Sequence, residues 1–331
     1  PEHAMEGGGV DVAVKVRHPK VVEESFIDID IIFAFLNFFG ERARGSSNTR
    51  LTIPVTRDEF QRVLQRQIDL RWEAHNLTRF RHNFHEDQDI IRFPAVHEAH
   101  EDLLVETWVE GSTVSDVLIE VGAGLKQVGT CDDSPEERIR KTQMCGALFD
   151  MTMKMFLRDN LIHGDLHGGN VMHTPGSHIP TIIDCGLVTG VLPDVRKSYF
   201  QFLRALCVGD ADTITDKLSE FCTSRKGEKG VADMAAFRAD VQSTVDRWVG
   251  PDLRGPDGGP IQLGDFIGEL LYHLQQHDLT LRGDVAGTVV SMSLVEGLAR
   301  QLDPHFDVVG FARPYFLRYP PIFREAFVQP S

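Results

Sequence analysis

The alternation of apolar and polar residues predicts that the chain begins with a strand and soon becomes helical. Small and β-branched residues alternate over Val10–Val16, which is typical of a strand. Apolar residues then recur with a helical period at residues 21–42 and 58–84, on either side of a Ser/Asn/Pro linker at 45–56. The first part of the chain therefore combines at least one strand with two helices.

The pattern changes again towards the C-terminal half. Residues 90–96 and 102–109 have the composition of two antiparallel strands. Ser134 precedes a proline that suits the first position of a helix, and this helix is predicted to run to about residue 159. Later helices are predicted at residues 195–208, 211–221, 231–248, 263–277 and 285–301.

Composition restricts the class of protein. A chain of 331 residues that is 42% apolar can bury a substantial core, and its length suits about two domains. The net charge of −15 argues against nucleic acid as the main partner, because phosphate binding favours a basic surface. No apolar run reaches the length of a transmembrane span. The five cysteines include no Cys-x-x-Cys pair, which fits a reducing compartment.

Two short motifs between residues 161 and 186 indicate the chemistry. A His-Gly-Asp triplet ends at Asp165 and is followed by Asn170, and an Asp-Cys-Gly triplet begins with Asp184 after a short apolar strand. Kinase-fold phosphotransferases use one Asp to accept the proton of the attacking hydroxyl or water, and an Asn and a second Asp to hold metal ions. The motifs therefore predict Asp165 as the catalytic residue and Asn170 and Asp184 as Mg²⁺ ligands beside ATP.

Residues upstream complete this pattern. Lys15 ends a Val-Ala-Val-Lys string, where a kinase has the lysine that pairs with the nucleotide phosphates. Glu73, on the helix at 58–84, is predicted to hold this lysine. The segment 106–111 resembles the connector between kinase lobes, so Glu106 and Trp108 are candidate contacts to the nucleotide base. Each of these residues alone is more often merely solvated, and the prediction depends on their combination.

The order of the motifs predicts a protein-kinase-like, two-lobed α+β fold. The smaller N-terminal lobe is placed at residues 1–110, and the larger, mainly helical C-terminal lobe at residues 111–331. Gly164 stands where regulated protein kinases have an arginine, and only a few residues separate Gly186 from Pro193. The chain therefore has no long segment there that could dock a peptide. These features favour a small-molecule kinase or an ATPase over an ordinary protein kinase.

Taken together, the motifs resemble the UbiB or aarF-domain (ABC1-type) family of atypical kinases. The residues that carry this resemblance are the string ending at Lys15, the Asp69-x-x-x-Glu73-Ala74 helix, the motifs at 163–170 and 184–186, and the pattern at 294–304. The resemblance implies that Lys15 pairs with Glu73 and the phosphates, that Asp165 is catalytic, and that ATP and Mg²⁺ are the cofactors.

The resemblance also implies a setting for the protein. The stretch at 67–77 is most similar to a mitochondrial animal branch of the family. The family is linked to ubiquinone biosynthesis and lipid metabolism at the inner mitochondrial membrane, and its members tend towards ATPase or lipid-associated activity. A mitochondrial protein is therefore expected, with nucleotide, quinone-pathway proteins and membrane lipid as partners.

Two departures from the family pattern leave other functions open. The family's Lys-x-Gly-Gln helix and Ala-rich nucleotide loop are expected before Lys15, so the chain is expected to be a fragment. Gln67 stands where the family has an acidic residue. The alternatives are a non-catalytic pseudokinase that binds lipid or acts as a scaffold, and a small-molecule phosphotransferase of the aminoglycoside or choline kinase type.

Overall fold

The structure is a computed structural model. It describes residues 9–23, 25, 68–116, 134–224, 231–249, 254–255 and 258–318. The linker predicted at 45–56 and Gln67 lie outside these residues, as does nearly all of the helix predicted at 21–42.

The described residues belong to two compact units. The first unit takes in the chain up to His82, Phe93–Val109 and Asp184–Leu187. The second unit takes in Asn83–Arg92, Glu110–Ile183 and the chain from Val188 onwards. The short stretch at 184–187 therefore belongs with the N-terminal residues, although it lies far from them in sequence.

The described part of the first unit includes a three-stranded antiparallel sheet and a helix that packs against it. In β3, the central strand, Leu104 lies opposite Lys15 of the edge strand β1. The helix packs Leu70 and Ala74 against Leu104, which forms the core of this unit. The elements are β1 (Val12–Val16), α1 (Leu70–Asn83), β2 (Val96–Ala99) and β3 (Leu103–Thr107).

Strand β1 confirms the alternation read from the sequence. Its even-numbered valines are exposed on one face of the sheet, whereas Ala13 and Lys15 are partly buried on the other. Because successive side chains of a strand point to opposite faces, Lys15 lies on the same face as the buried Leu104.

The prediction of a strand at residues 90–96 is wrong. Residues 84–86 and 88–90 form turns instead, and Arg92 makes only an isolated bridge to Thr181. Pro94 has no N–H to donate to a ladder, and pairing with β3 begins at Val96, with a register shift before Glu98. The neighbouring prediction at 102–109 is confirmed as the shorter strand β3.

The second unit is mainly helical, with short antiparallel strands in the orders β4-β6-β7, β5-β8 and β9-β10. Its helices are α2 (Pro135–Lys154), α3 (Arg196–Val208), α4 (Ala211–Phe221), α5 (Met234–Trp248), α6 (Leu263–Gln276), α7 (Gly283–Leu302) and α8 (Val308–Arg318). Its strands are β4 (Ser112–Thr113), β5 (Ile162–His163), β6 (Val171–His173), β7 (Thr181–Ile182), β8 (Val188–Thr189), β9 (Cys222–Ser224) and β10 (Leu279–Leu281).

The helices predicted for this unit are confirmed, and most of their ends shift by up to three residues. The exception is α2, which ends at Lys154 and is followed by a π-helical turn up to Asp159, where the predicted helix ends. At the start of α2, the Ser134 hydroxyl accepts a hydrogen bond from the Glu137 N–H (3.2 Å), as expected for a capping residue. The sequence pattern does not predict the antiparallel pair of β9 and β10 or helix α8. Helix α8 contains Pro314, which argues against a helix when only the sequence is known.

Helix α2 is central to the core of the second unit. Its residues Met144, Leu148 and Met151 are at most 2% exposed. The Phe149 ring stacks on Phe306 at 5.3 Å and meets the edge of Phe311 at 6.3 Å. The helix packs against α7 and α8, which makes it a rigid support for the loop that follows it. None of the helices among the described residues has both the length and the apolar character needed to cross a bilayer.

Candidate active site

Lys15, Glu73 and Asp184 form a charged group in the first unit, which we call the Lys15 cluster. The Lys15 Nζ donates to both carboxylate oxygens of Glu73 (2.8 and 2.7 Å) and to Oδ2 of Asp184 (2.8 Å). The Glu73 side chain is 5% exposed, against 41% for Lys15 and 37% for Asp184. One ammonium group is therefore held by a buried carboxylate and shared with a more accessible one.

The electrostatics of the Lys15 cluster keep the lysine charged. Burial acts to lower the pKa of Lys15, but the Glu73 and Asp184 carboxylates outweigh it and raise this pKa above its usual value. Burial, together with the Asp184 charge, raises the pKa of Glu73, and the Lys15 ammonium offsets only part of this. Lys15 is therefore a fixed cation on the partly buried face of the sheet.

Two side chains of helix α1 hold the Asp-Cys-Gly turn. The Asn76 Nδ2 donates to the backbone C=O of Cys185 (2.9 Å), and the Glu73 carboxylate accepts a hydrogen bond from the Cys185 backbone. The Gly186 N–H donates to Oδ1 of Asp184 (2.9 Å), which closes the turn. Because Glu73 and Asn76 lie three apart on one helix, the position of the helix sets the position of Asp184.

Asn76→Ala is expected to lower the free energy of unfolding by about 1–2 kcal/mol, because the buried Cys185 C=O loses its donor. It is also expected to weaken any magnesium-dependent binding of ATP, since Asp184 loses part of its support. Urea denaturation and thermal shift with Mg-ATP measure the two effects. His75→Ala, an exposed position on the same helix, is the control. If Asn76→Ala matches His75→Ala in both measurements, Asn76 does not hold the turn.

Asp165 and Asn170 lie in the second unit, on the loop between β5 and β6. The chain enters this loop through a π-helical turn at Met155–Asp159, which follows α2. Asn160 then adopts a left-handed conformation (φ +49°), which asparagine tolerates better than most residues. Its side chain donates to the Val191 C=O (2.9 Å) and accepts from the Val191 N–H (3.0 Å), so the start of the loop is anchored.

The loop has a fixed backbone and an accessible carboxylate. The Asp165 N–H donates to Nδ1 of His163 (3.1 Å), and the Asn170 Nδ2 donates to the Asp165 C=O (2.9 Å). The Asp165 side chain is 51% exposed and lies 3.7 Å from Nε2 of His167. Because Asn170 makes this hydrogen bond through its side-chain nitrogen, its Oδ1 atom can still act as a ligand for a cation.

The oxygen atoms of Asn170 and Asp184 are of the type that Mg²⁺ prefers. Among the described residues, no three metal-binding side chains of His, Cys, Asp or Glu are grouped to hold an ion. Beside a nucleotide, Mg²⁺ uses one or two protein ligands together with water and substrate phosphates. The chemistry of the donors therefore fits the predicted metal.

The structure brings the predicted site residues together in two sets. Lys15, Glu73 and Asp184 share the first unit, and Asp165 and Asn170 share a loop of the second unit. Their roles in catalysis and metal binding stay predictions. Asp69, which shares a helical face with Glu73 in the sequence pattern, pairs with Arg71 instead of Lys15.

Trp108 and Glu106 lie at the end of β3 in the first unit. The Trp108 side chain is 54% exposed, and its backbone N–H donates to the Asp11 C=O (3.2 Å). This N–H is therefore already bonded within the sheet, and a contact between Trp108 and a nucleotide stays a prediction.

The buried side chain of Glu106 is a feature that sequence reasoning misses. Glu106 is 8% exposed, and burial, followed by the charge of Glu73, raises its pKa from 4.5 to about 7. Its Oε2 has no hydrogen-bond partner among the residues that the structure describes. The available signal is its position two residues after Leu104, on the strand face that also carries the core.

Comparison with known proteins identifies the family. The model of a family described as the ABC1 atypical kinase-like domain matches residues 3–218, which is most of the chain. The chain belongs to this family, and the resemblance to UbiB and aarF-domain proteins is confirmed.

Individual relatives support the same assignment. The chain is 24% identical over 355 residues to a mitochondrial ABC1 family protein of Saccharomyces cerevisiae, a match that covers 91% of the chain and 50% of the relative. It is 24% identical over 316 residues to a probable protein kinase UbiB of Shewanella piezotolerans, covering 94% of the chain and 53% of the relative. The chain spans about half the length of the curated relatives it matches.

A solved structure shares the fold. The Rv3197–erythromycin complex from Mycobacterium tuberculosis matches with a TM-score of 0.58 at 19% identity, covering 92% of this chain and 71% of that one. Together with the family assignment, this likeness confirms the protein-kinase-like α+β fold predicted from the sequence.

Proposed function

We propose that the protein binds Mg-ATP and either hydrolyses it or transfers its terminal phosphoryl group to a small or lipid-like acceptor. The observation that carries this proposal is the Lys15 cluster. A buried Glu73 holds Lys15 through two hydrogen bonds, and Asp184 contacts the same ammonium group. An oriented lysine next to a carboxylate is what phosphoryl transfer requires for positioning the nucleotide phosphates.

The proposed mechanism assigns one task to each residue. Lys15 binds and orients the phosphates, and Glu73 keeps the ammonium in place. The accessible carboxylate of Asp184 and the side-chain oxygen of Asn170 would hold Mg²⁺. When bound, Mg²⁺ neutralises the charge that builds up on the phosphate oxygens. The exposed carboxylate of Asp165 accepts the proton of the attacking hydroxyl or water.

We further propose a role in ubiquinone or mitochondrial lipid metabolism. One relative is described as mitochondrial and another as a probable protein kinase UbiB, and both descriptions support this setting. The short stretch between Gly186 and Pro193 favours a small acceptor over a peptide. Quinone-pathway proteins and membrane lipid are the partners expected in that setting, and mitochondria the location.

A non-catalytic pseudokinase that binds lipid or acts as a scaffold is the second candidate. Gln67 favours it in one respect, because it stands where the family has an acidic residue. Binding of Mg-ATP without release of phosphate distinguishes this function from the first.

Thermal unfolding with and without Mg-ATP tests the proposal. A ligand that binds only the native state raises the free energy of unfolding by about 2.7 kcal/mol at a concentration of 100 times Kd. We expect the wild-type chain to show a magnesium-dependent rise in melting temperature and Asp184→Asn to lose it. Asp184→Asn should still fold, because Glu73 keeps its bonds to Lys15.

Asp89→Asn, at an exposed aspartate, controls for the change of charge and should keep the full rise. The proposal fails if the folded wild type shows no rise. It fails equally if the rise is the same without magnesium or in Asp184→Asn.

A further inference from the structure

Glu106 has an unsatisfied polar atom inside the first unit. More than nine-tenths of the residue is buried, and its Oε2 has no hydrogen-bond partner in the described part of the chain. Glu73 and Asn76, the buried polar side chains nearby on α1, both have partners. Buried polar groups are normally paired, and an unpaired one in a native structure calls for an explanation. A ligand that brings the missing donor provides it.

The position of Glu106 indicates which ligand. Glu106 lies opposite Ala13 and Leu104 lies opposite Lys15, so Glu106 and Lys15 are diagonal neighbours on one face of the sheet. Diagonal neighbours of this kind are roughly 7–8 Å apart. The charges of Glu73, Lys15 and Asp184 all act on the Glu106 carboxyl. A molecule whose phosphates contact Lys15 therefore has its other atoms within reach of Glu106.

Charge decides what part of that molecule Glu106 can bind. In the described part of the first unit, two carboxylates already surround the Lys15 ammonium, and Glu106 adds a third acidic group beside them. A phosphate at Glu106 would be repelled by the ionised carboxyl, and a keto oxygen would then face another acceptor. An uncharged amino group fits, because the carboxyl retains an acceptor oxygen whether or not it is protonated.

We propose that Glu106 determines nucleotide specificity by accepting a hydrogen bond from the exocyclic amino group of the bound base. The site then prefers an amino-substituted purine nucleotide to an analogue that lacks the amino group, because the analogue leaves a buried oxygen unpaired. This inference rests on the nucleotide binding proposed above. It concerns the Glu106 side chain, whereas the sequence predicts a contact from the backbone of the connector.

The test compares Mg-ATP with the Mg complex of purine riboside triphosphate, which differs from ATP only in lacking the 6-amino group. For the wild type, we expect isothermal titration calorimetry to give a Kd for ATP that is about 10- to 100-fold lower than the Kd for purine riboside triphosphate. Glu106→Leu should bind both nucleotides with nearly equal affinity. Glu106→Met, which keeps the length but has no comparable acceptor, should do the same if the leucine variant does not fold.

Two controls separate recognition from a structural effect. Glu98→Gln, at an exposed position on β2 of the same sheet, should keep the preference for ATP. An unpaired buried oxygen destabilises the folded state. Glu106→Leu removes it and should therefore not lower the melting temperature measured without nucleotide.

The outcomes of this test distinguish the role of Glu106 from the nucleotide binding on which it rests. Equal affinity of the wild type for the two nucleotides overturns the role of Glu106 and leaves nucleotide binding intact. So does a preference that is undiminished in a folded Glu106→Leu or Glu106→Met. Failure of the folded wild type to bind either nucleotide overturns both.

Discussion

Asp165→Asn is expected to lower the proposed rate of ATP turnover by about 10²- to 10⁴-fold, the range typical for loss of a general base. The asparagine keeps the shape of the side chain but cannot take up the proton of the attacking group. The free energy of unfolding should change by less than about 0.5 kcal/mol, because the carboxylate is half exposed. The two hydrogen bonds that fix Asp165 in its loop use its backbone atoms, and these remain.

Release of phosphate from ATP, measured together with urea denaturation, checks both parts of this result. Asp89→Asn removes an exposed carboxylate elsewhere in the second unit and should leave turnover unchanged. Turnover in Asp165→Asn at the wild-type rate would show that Asp165 is not the proton acceptor. A large loss of stability in the same variant would show that its effect on turnover is structural.

Glu296→Ala is expected to lower the free energy of unfolding by about 2–5 kcal/mol, because two backbone N–H groups lose their acceptor at a cost of about 1–3 kcal/mol each. Glu296 lies on α7, is 3% exposed and pairs with Arg300 at 3.0 Å. Its carboxylate also accepts hydrogen bonds from the backbone N–H groups of Leu263 (2.8 Å) and Gly264 at the start of α6. The substitution therefore leaves two backbone donors and one guanidinium group without their acceptor.

Urea denaturation measures this effect, and Glu86→Ala is the matched control because the Glu86 side chain is 85% exposed. The loss of unfolding free energy in Glu296→Gln should fall between the losses in Glu86→Ala and Glu296→Ala, since an amide keeps one acceptor oxygen but no charge. A loss below about 1 kcal/mol in Glu296→Ala would mean that the α6–α7 contact is held by apolar packing alone.

The parts of the candidate site that can be predicted from sequence are the local ones. Lys15, Asp165 and Asp184 each lie in a short motif whose residue types reflect a chemical task. Most of the helices are also predictable, because their apolar residues recur with a regular period. The prediction of a strand at residues 90–96 is wrong because local features override the apolar pattern. Its apolar composition suits a strand, but local turns and Pro94 prevent pairing until Val96.

The remaining features depend on contacts between residues far apart in the chain. Asn76 and Cys185 are separated by 109 positions, and nothing near either residue indicates that one binds the other. The raised pKa of Glu106 follows from its burial and from the charges around it. The strand pattern places Glu106 on the same face as Leu104, but it does not show the charged groups that surround the carboxyl. Features of this kind can be recognised only when the tertiary structure is known.

The π-helical turn at Met155–Asp159 limits how this protein can be recombined with its relatives. A π-helix closes each hydrogen bond over one residue more than an α-helix does. Removing one residue there would let the turn close as an α-helix and would shorten the connection from α2 to Asn160, the residue that Val191 anchors. Chimeras that exchange the loop around Asp165 should therefore conserve the number of residues between α2 and Asn160, even where the residue types differ.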